Sequence, residues 1–585
     1  MRRYPFRFHS RRAWFVTSGA IFIIVIALVW QQFFHTHSKF IPTTGGIFTG
    51  STIGTVKNLN PLATNSSLFD EDLKQLIFAG LLRYNPVSGQ IEDSLANFRI
   101  SEDSKTYFLT LKNSAYFQDG TPVTINDVIF TFEKVIQNPN FSNTILRDAF
   151  EYVSIDTVDE KTLAFILPEQ NVFFLSLLTT PILPAKKFEN ALIEEVTDPD
   201  FPFNKHPLGA GPYQLKNIVP NNDGSFRVFL SKNKYFHGGT PLLDQLVFYV
   251  YPEFTHLDIS HPWTTMFSKI PAVWLDKFEK KLFDQLQLET EYQKREYLLP
   301  RFTALFFNLD RESINNPGLR KALRLSLDKE KILEKESGWK QTDSFFFFEG
   351  VESWHVPDFA EARRTLRDNG FPYNTSTETR FSKNTGEALE LELITSTSPP
   401  VYSRFAQNIA RNWEKELGLK IEVKVLTPEE FQEALKNREY DLVLFGQNFS
   451  KNFDSLSTWH SSQAEKFNLS NLTNEDTDFL IDEVRFSGAQ SDLFALSEEL
   501  DDILPAIILA TPTYNLFVSN ELQGFSDTFG KIRSHAQRLS GIEKWYFYEK
   551  LTWDWPEDKS KLWGFVKWIF GFDTPSPSTN HEETS

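Results

Sequence analysis

The residues that could support catalysis are scattered along the sequence and form no common catalytic motif. Residues 209–212 read GAGP, but they lack the third glycine or the following Lys-Ser/Thr of a phosphate-binding loop. No Gly-x-Ser-x-Gly or His-Glu-x-x-His sequence occurs, and the closest histidine pair, His35 and His37, is expected in an exposed spacer. Asp501 and Asp502 are expected at a solvated helix end. We therefore predict no enzyme, no metal site and no cofactor.

The composition narrows the chemistry further. The chain has no cysteine, which excludes disulfides, thiolate catalysis, iron-sulfur clusters and attachment through a lipidated cysteine. Its formal net charge of -17 argues against nucleic acid as a partner, because binding that polyanion requires a basic face. Hydrophobic residues make up 41% and charged residues 23% of the 585 residues. This balance is typical of a folded protein, and the length suggests roughly three to four structural units.

The amino-terminal residues have the pattern of a membrane anchor. The uncharged run at 13–30 would span about 27 Å as a helix, close to the thickness of a hydrocarbon core. We predict one transmembrane helix over 13–34 in contact with the lipid bilayer, a cytoplasmic segment over 1–12 and an extracytoplasmic main domain. A cleaved signal peptide is the alternative. The basic residues that favour this orientation are Arg2, Arg3, Arg7, Arg11 and Arg12.

Helix and strand patterns alternate along the rest of the chain. Residues 35–46 are polar and rich in turn formers, which predicts a spacer. Apolar alternation and β-branched residues predict strands at 46–56, 107–112, 226–230, 246–251, 304–308, 389–394, 421–425 and 442–445. Helical spacing predicts helices at 69–82, 128–136, 317–325, 357–368, 403–417, 428–436 and 475–485. The pattern indicates a mixed α/β protein without internal repeats.

The carboxyl-terminal residues, 556–585, differ in composition from the rest. Residues 561–572 (KLWGFVKWIFGF) favour an amphipathic helix at a membrane surface. A terminal helix packed on the protein's own surface is the alternative, because Gly564 and Gly571 weaken the helix. The remaining Pro-, Ser- and Thr-rich end predicts a disordered tail.

Several segments, taken in order, carry the signature of one protein family. Residues 116–128 (YFQDGTPVTINDV) match the pattern F-x-D-G-x-P-V/L-T-A-x-D-V, and residues 207–213 (PLGAGPY) match P-x-G-T-G-P-Y/F. Further matches lie at 230–243 (LSKNKYFHGGTPLL), 319–332 (LRKALRLSLDKEKI) and 469–480 (LSNLTNEDTDFL). In these segments the chain resembles bacterial extracellular solute-binding proteins of the peptide and nickel class, the receptors of ABC importers. The resemblance covers roughly residues 47–550.

The resemblance implies a two-lobed α/β clamp of the type II periplasmic-binding-protein class with an extra domain. Lobe I is then expected at residues 47–82, 200–300 and 510–555, domain II at 83–199, and lobe III at 301–509. A ligand that contacts both lobes closes such a clamp by hinge motion.

The resemblance also implies a ligand site between the lobes. Relatives hold an extended peptide by strand-like hydrogen bonds, and the matching strand here is 440–447. Peptide-binding relatives carry an aspartate after this strand that pairs with the ligand's α-amino group, but by its spacing from Trp459, Asn448 occupies that position. Asp454 is therefore the candidate anchor, with a turn or helix cap as the alternative. The other candidate ligand-binding residues are Asn58, Asn60, Asn308, Arg404, Phe445, Gly446 and Gln447.

Several candidates also have a structural interpretation. Trp459 fits a hydrophobic core as well as a pocket wall, Asn58 and Asn60 fit a loop turn, and Arg404 fits an exposed surface. Residues 253–273 lack the G-x-x-D motif of relatives, so details of the cleft there are not transferred.

The resemblance implies capture of peptides outside the cytoplasmic membrane and their delivery to ABC permease subunits by a monomeric protein. The missing acidic residue at Asn448 leaves open a receptor for another solute, such as a glycan fragment or a metal chelate. A sensor or envelope-interaction protein with a degenerate cleft is a further alternative.

Overall fold

The computed structural model describes residues 9–64, 67–252, 274–276, 292–334, 336, 338–346, 356–448 and 454–553. Three sequence predictions lie wholly or largely outside these residues, namely the cytoplasmic segment at 1–12, of which only 9–12 are described, the departure from relatives at 253–273, and the amphipathic segment and tail at 556–585.

The helices begin where side chains can cap the free backbone N–H groups. Ser67 and Thr427 each accept a hydrogen bond from the third residue of the following helix, whose carboxylate accepts the N–H of the cap in return. The α-helices are α1 (His9–His37), α2 (Leu68–Ile77), α3 (Ile125–Ile129), α4 (Thr144–Phe150), α5 (Phe174–Leu177), α6 (Ile193–Val196), α7 (Pro202–Lys205), α8 (Pro317–Leu325), α9 (Lys329–Leu333), α10 (Phe359–Asp368), α11 (Val401–Leu417), α12 (Pro428–Asn437), α13 (Leu456–Trp459), α14 (Glu475–Ser487) and α15 (Gln490–Ile503). A π-helix covers Phe130–Ile136, and 3-10 helices cover Ala185–Phe188, Ser461–Gln463, His535–Leu539 and Ile542–Lys544.

The strands form one large sheet and several small ones. They are β1 (Ser38–Thr43), β2 (Ile47–Ile53), β3 (Leu82–Asn85), β4 (Gln90–Asp93), β5 (Ala96–Ile100), β6 (Thr106–Leu111), β7 (Ser154–Thr157), β8 (Thr162–Ile166), β9 (Tyr213–Pro220), β10 (Phe226–Lys232), β11 (Gln245–Tyr251), β12 (Trp274–Asp276), β13 (Tyr292–Leu298), β14 (Arg301–Phe307), β15 (Trp339–Gln341), β16 (Tyr373–Asn374), β17 (Thr379–Arg380), β18 (Glu390–Ser396), β19 (Lys420–Leu426), β20 (Leu442–Asn448), β21 (Ala506–Ser519) and β22 (Tyr548–Trp553).

The chain divides into two compact units, and the smaller one holds the described residues up to Gly46 and from Tyr546 onward. In this unit β1 pairs antiparallel with β22. The segment predicted as a spacer, 35–46, therefore contains a strand, because residues 548–553 supply hydrogen-bond partners that local sequence patterns do not reveal.

Helix α1 includes the residues predicted to anchor the chain in a membrane. Among the helices of the described residues, none combines the length and the apolar character needed to cross a bilayer. The structure therefore does not support the predicted transmembrane helix over 13–34 or its contact with lipid.

One large sheet runs through the second unit, which extends from Ile47 to Trp545. Its strand order is β19-β18-β20-β14-β21-β12-β2-β11-β10-β9, and β13 and β15 also pair with β21. Strands β14 and β18–β20 belong to the range predicted as lobe III, and β2 and β9–β12 to the range predicted as lobe I. The mixed α/β class predicted from the sequence is confirmed.

Two extended segments connect the two halves of this sheet. The first half of β21 pairs with β14 and its second half with β13. Strands β13 and β14 are themselves joined by Leu299 and Pro300 alone. Residues 298–301 and 510–513 therefore pass side by side from one half to the other, which is the arrangement that a hinge requires. We call them the hinge segments.

The sequence of strand β14 is a nearly continuous run of apolar residues, and the burial of its side chains explains this composition. Leu305 and Phe307 lie in one buried cluster, and Phe302, Ala304 and Phe306 lie in a second cluster on the other side. Because helices and loops cover both faces of the sheet, side chains pointing either way must be apolar.

The range predicted as domain II, 83–199, contains the antiparallel sheet β5-β6-β8-β7, and we use the predicted names domain II, lobe I and lobe III below for the corresponding ranges. The Asp127 side chain accepts the N–H of Thr124 at the start of α3, and its other oxygen accepts the N–H of Ala185. A Cβ at Gly209 would overlap the Ile77 carbonyl group, so only glycine fits there. Asp127 and Gly209, which lie in the segments that resemble the family, thus hold backbone segments together.

Most predicted elements are present, with differences at their ends. The helix predicted at 317–325 is α8, and the strand predicted at 442–445 is the beginning of β20. The helix predicted at 69–82 ends at Ile77, because Phe78 is extended and residues 82–85 pair with β4. Helix α15 and strands β9, β13 and β21 were not predicted.

Candidate functional site

Strand β20 has neighbours on both sides only along its first half. The parallel strand β18 pairs with residues 442–444, whereas the antiparallel strand β14 pairs along the whole of 442–448. Within the described part of the chain, residues 445–448 therefore have a neighbouring strand on one side only. Their other edge can pair with an extended ligand.

Gly446 lies where two polar side chains converge on β20. A Cβ at this position would overlap the Tyr402 hydroxyl group and lie 3.0 Å from Nη2 of Arg301. Nη2 of Arg301 donates a hydrogen bond of 3.1 Å to the Tyr402 hydroxyl oxygen. Because Thr303 pairs with Gly446, residues Arg301, Thr303 and Gly446 lie on one face of the sheet. Because Gly446 has no side chain, the Tyr402 hydroxyl group and the Arg301 guanidinium group can both lie against this face of the sheet.

The other predicted residues of β20 have different surroundings. Gln447 faces the opposite side of the sheet from Gly446. Its side-chain Oε1 is buried and accepts no hydrogen bond from the residues that the structure describes. Phe445 packs against both hydrophobic clusters of lobe III, and Asn448 is the last residue of the strand. Leaving a buried acceptor unsatisfied costs about 1–3 kcal/mol, a cost that a donor group of a ligand would remove.

A cavity of about 670 Å³ borders the hinge segments. Leu299, Pro300 and Arg301 line it from one segment, and Tyr514 lines it from β21. The other lining residues come from the ranges predicted as lobe I and domain II. The volume falls in the usual range of ligand pockets, about 300–1,000 Å³. Arg301 thus lies both in the wall of the cavity and beside the half-paired end of β20.

Polar groups in another wall of the cavity have protein partners. The guanidinium group of Arg83 lies 3.4 Å from Glu543 and 3.7 Å from Glu92. Burial, together with the charges of Lys112 and Arg83, lowers the pKa of His237 to about 3. The imidazole is therefore neutral near pH 7, and its Nε2 lies 3.0 Å from the Ser94 hydroxyl oxygen.

The described residues contain no group of three or more His, Cys, Asp or Glu side chains that could hold a metal ion.

Asp454, the candidate anchor for a ligand amine, has protein partners for both carboxylate oxygens. Oδ1 accepts the backbone N–H of Leu456 at 3.1 Å, and Oδ2 lies 3.4 Å from Nε of Arg485. The first contact is the turn that was the alternative interpretation of this residue. A role in binding the ligand amine stays a prediction.

Asn58 and Asn60 are buried and hold the first loop of the second unit in place. The Asn58 side chain donates to the carbonyl of Thr197, and the Asn60 side chain donates to Val196 and to the side chain of Asn204. Oδ1 of Asn58 accepts the N–H of Asn60, as the turn interpretation predicts. The structure thus places neither side chain beside β20.

Three further candidates lie in the range predicted as lobe III and have protein contacts of their own. Asn308 is buried and donates to the carbonyl of Tyr440. Trp459 is fully buried in a hydrophobic cluster, as its core interpretation predicts. Arg404 is exposed and forms two hydrogen bonds of 2.5 and 2.7 Å with Glu336.

Domain II and lobe III contact each other at the carboxyl end of α14. The Val172 N–H donates to the Arg485 carbonyl at 3.0 Å, and the Gln170 side chain donates to the Phe486 carbonyl at 3.0 Å. Gly488 ends the helix with a φ of 65°, and a Cβ there would lie 3.2 Å from a methyl group of Val172. Carbonyls at a helix end have no partner within the helix. Here another domain supplies the donors.

Arg301, Tyr402 and Tyr514 are polar residues of this region that were not identified from the sequence. Arg301 is the first residue of a strand in which Thr303 is the only other polar residue, and this isolated charge is a signal that the sequence contains. Tyr402 precedes the predicted start of its helix by one residue, and Tyr514 lies on a strand that was not predicted.

Known proteins resemble this chain along most of its length. The probable ABC transporter periplasmic-binding protein SapA of Escherichia coli is 26% identical over 421 residues, which cover 67% of this chain and 72% of SapA. The oligopeptide-binding protein AppA of Bacillus subtilis is 23% identical over 512 residues, covering 80% of this chain and 89% of AppA.

The structural comparison concerns the fold. The structure of AppA from Bacillus subtilis in complex with a nonapeptide superimposes with a TM-score of 0.67 at 18% identity, covering 87% of this chain and 100% of that chain. The predicted two-lobed fold of the type II periplasmic-binding-protein class is thereby confirmed. A family model described as bacterial extracellular solute-binding proteins, family 5 Middle, matches residues 90–467, more than half of the chain. The chain belongs to this family of bacterial extracellular solute-binding proteins.

Proposed function

We propose that this protein captures peptides between lobe I and lobe III on the extracytoplasmic side and delivers them to an ABC importer. It acts as a monomer. The two lobes close around the ligand, and the protein catalyses no covalent reaction. Family membership supports a role in import, and the similarity to an oligopeptide-binding protein supports peptides as the ligand.

The half-paired end of β20 is the observation that carries this proposal. Residues 445–448 keep β14 on one side, and the ladder with β18 stops at Leu444. An extended peptide offers the alternating N–H and C=O groups that such an edge binds, whatever the side chains of the peptide are. A receptor for peptides of varied sequence needs backbone contacts of this kind, because they do not depend on the side chains of the peptide.

Two further features suit a peptide. The buried Oε1 of Gln447 is an acceptor that a peptide N–H can satisfy. The cavity of about 670 Å³ beside the hinge segments provides space for side chains. Because the hinge segments connect the two halves of the sheet, a peptide that contacts both halves favours the closed clamp.

The full-length protein should retain peptides during purification, and native mass spectrometry should detect them. After partial unfolding and refolding to remove bound material, pools of short peptides should raise the melting temperature in a concentration-dependent manner. A ligand at a hundred times its Kd stabilises the folded state by about 2.7 kcal/mol. Gln447→Leu should weaken peptide binding about fivefold or more, whereas Gln432→Leu, on the exposed surface of α12, should not.

The outcomes separate the possible functions. If peptides neither co-purify with the protein nor stabilise it, while another solute does, the peptide assignment fails and a receptor for that solute replaces it. If no small solute stabilises the protein, the capture function itself fails.

A further inference from the structure

Arg301 is the only charged residue of strand β14, and it lies at the junction of a hinge segment and the cavity. It follows Pro300 in one hinge segment, and the other six residues of the strand are buried. Its side chain is partly buried and lines the cavity. A charged group at this place is accessible to a ligand that occupies the cavity.

The guanidinium group of Arg301 has few protein partners. Nη2 donates to the Tyr402 hydroxyl at 3.1 Å, and Nε is buried without a hydrogen-bond partner among the described residues. Over the same residues, no carboxylate lies within ion-pair distance of this side chain. Burial opposes its charge, but the phenol groups of Tyr402 and Tyr514 outweigh burial and raise the pKa of Arg301. The side chain therefore remains a cation.

A partly buried guanidinium cation with only hydroxyl partners is not fully satisfied. Guanidinium offers five N–H donors in one plane, a geometry that matches the two oxygens of a carboxylate. A charge-assisted pair of this kind is roughly twice as strong as a neutral hydrogen bond. The buried Arg538 provides a contrast, because it holds Asp72 through two hydrogen bonds.

We propose that Arg301 binds a carboxylate group of the ligand. This inference rests on the proposed function, because it takes the cavity and the end of β20 as the peptide site. Nη2 would lie only 3.0 Å from a Cβ at Gly446, so a peptide paired with residues 445–448 brings its own groups within reach of the guanidinium. The ligands are therefore peptides that carry a free carboxyl terminus or an acidic side chain at this point.

Three pools of tetrapeptides test the inference on the full-length protein by isothermal titration calorimetry. The first pool consists of uncharged residues with a free carboxyl terminus, the second has the same sequences as carboxyl-terminal amides, and the third has one glutamate in each amide. The wild-type protein should bind either the first or the third pool at least tenfold more tightly than the second. Whichever pool it prefers identifies the source of the carboxylate.

Variants of Arg301 should remove this preference without removing peptide binding. Arg301→Gln should weaken the preferred acidic pool about tenfold and leave the amide pool within about twofold, so that the preference disappears. Arg301→Lys should retain part of the preference, because it keeps the charge but loses the planar fork. Arg363→Gln, an exposed arginine paired with Glu416, is the matched control and should leave all three affinities unchanged.

Three results would overturn the inference, and one of them also overturns the proposed function. Equal binding of acidic and amide pools by the wild-type protein would show that no carboxylate is recognised. If Arg301→Gln lost the same fraction of its affinity for all three pools, the residue would only support the fold through Tyr402. A lower melting temperature of Arg301→Lys would detect such a structural role. Failure of every pool to bind the wild-type protein would refute peptide capture itself.

Discussion

Nε of Arg485 lies 3.4 Å from Oδ2 of Asp454, so the carboxylate that the sequence offers as a ligand anchor already faces a cation of its own chain. Arg485 lies near the end of α14, and its carbonyl accepts the Val172 N–H from domain II. The pair therefore connects the segment after β20 with the contact between domain II and lobe III.

We expect Asp454→Asn to affect stability more than ligand choice. Asparagine keeps an acceptor for Leu456 but loses the attraction to Arg485, so the free energy of unfolding should fall by about 1 kcal/mol. Affinities for peptides with a free amino terminus and for their N-acetylated forms should fall equally, measured by titration calorimetry. A tenfold loss confined to free-amine peptides would instead make Asp454 the amine anchor. Glu433→Gln, on the exposed surface of α12, is the control.

The contact between Val172 and Gly488 should accept an engineered disulfide. A Cβ at Gly488 would lie 3.6 Å from Cβ of Val172, within the range of about 3.5–4.5 Å found in disulfides. The chain has no other cysteine, so Val172→Cys with Gly488→Cys can form only this link within one molecule. Because the link joins domain II to lobe III, a peptide bound before oxidation should dissociate at least tenfold more slowly.

Mass spectrometry without reducing agent measures formation of this disulfide, and reduction should restore the original dissociation rate. Each single-cysteine variant serves as a control for the cost of the substitution, which includes placing a side chain at the positive φ of Gly488. A disulfide that forms without slowing dissociation would show that this contact does not control access to the cleft.

Asp72 and Arg538 form a buried ion pair that should be important for folding. The guanidinium group donates hydrogen bonds of 2.5 and 2.6 Å to the two carboxylate oxygens, and both residues are almost fully buried. Asp72→Asn should lower the free energy of unfolding by about 3–5 kcal/mol, because it leaves a buried cation without its charge partner. Denaturant titration of the full-length protein measures this loss.

The exposed pair of Arg324 and Asp501, 2.9 Å apart, provides a matched comparison. Asp501→Asn should change the free energy of unfolding by less than about 1 kcal/mol, because solvent screens both charges. Similar losses in Asp72→Asn and Asp501→Asn would contradict the expected effect of burial.

His237 should make the protein less stable in mild acid. Its pKa is about 3 in the folded state, because burial disfavours the cation and Lys112 and Arg83 repel it, against about 6.5 in the unfolded chain. Between these values the unfolded state binds the extra proton, so stability falls as the pH falls from about 7 toward 3. At about pH 5 the protonation of His237 in the unfolded state should lower the free energy of unfolding by at most about 2 kcal/mol.

His237→Gln should therefore lose less stability than the wild type between about pH 7.5 and 5, measured by denaturant titration at each pH. The matched variant His206→Gln removes an exposed histidine and should keep the pH dependence of the wild type. A pH dependence that is the same in all three proteins would show that His237 is not the responsible group.

Much of the fold was predictable because its signals are local. Asn316 and Pro317 mark the start of α8, and Thr427 with Glu430 forms the capping box of α12. Such signals act within one helical turn, so a short stretch of sequence contains them completely. Helix α1 shows the limit of prediction from local signals, because its sequence pattern predicted a membrane span that the structure does not support.

The candidate site was predictable only in part. The apolar residues at 442–445 predicted the first part of β20, and the resemblance to the family implied Phe445 and Gly446 as site residues. Neither signal indicated that the strand lacks a second neighbour beyond Leu444. The contact of Arg301 with Tyr402 joins residues that are 101 positions apart. No local pattern connects positions so distant. The antiparallel register of β14 and β20 places Arg301 on the same face as Gly446, and the Tyr402 hydroxyl group reaches that glycine from α11.

The sequence by itself determined the mixed α/β class, the positions of most elements and the resemblance to solute-binding proteins, because periodicity, caps and motifs are properties of neighbouring residues. Only the tertiary structure decided which polar side chains hold the fold and which line the cavity. Asp72 has its partner 466 positions away, whereas Arg301, equally polar in the sequence, lines the cavity with no carboxylate partner among the described residues. Whether a charged residue finds a partner in its own chain depends on which groups long-range packing places beside it.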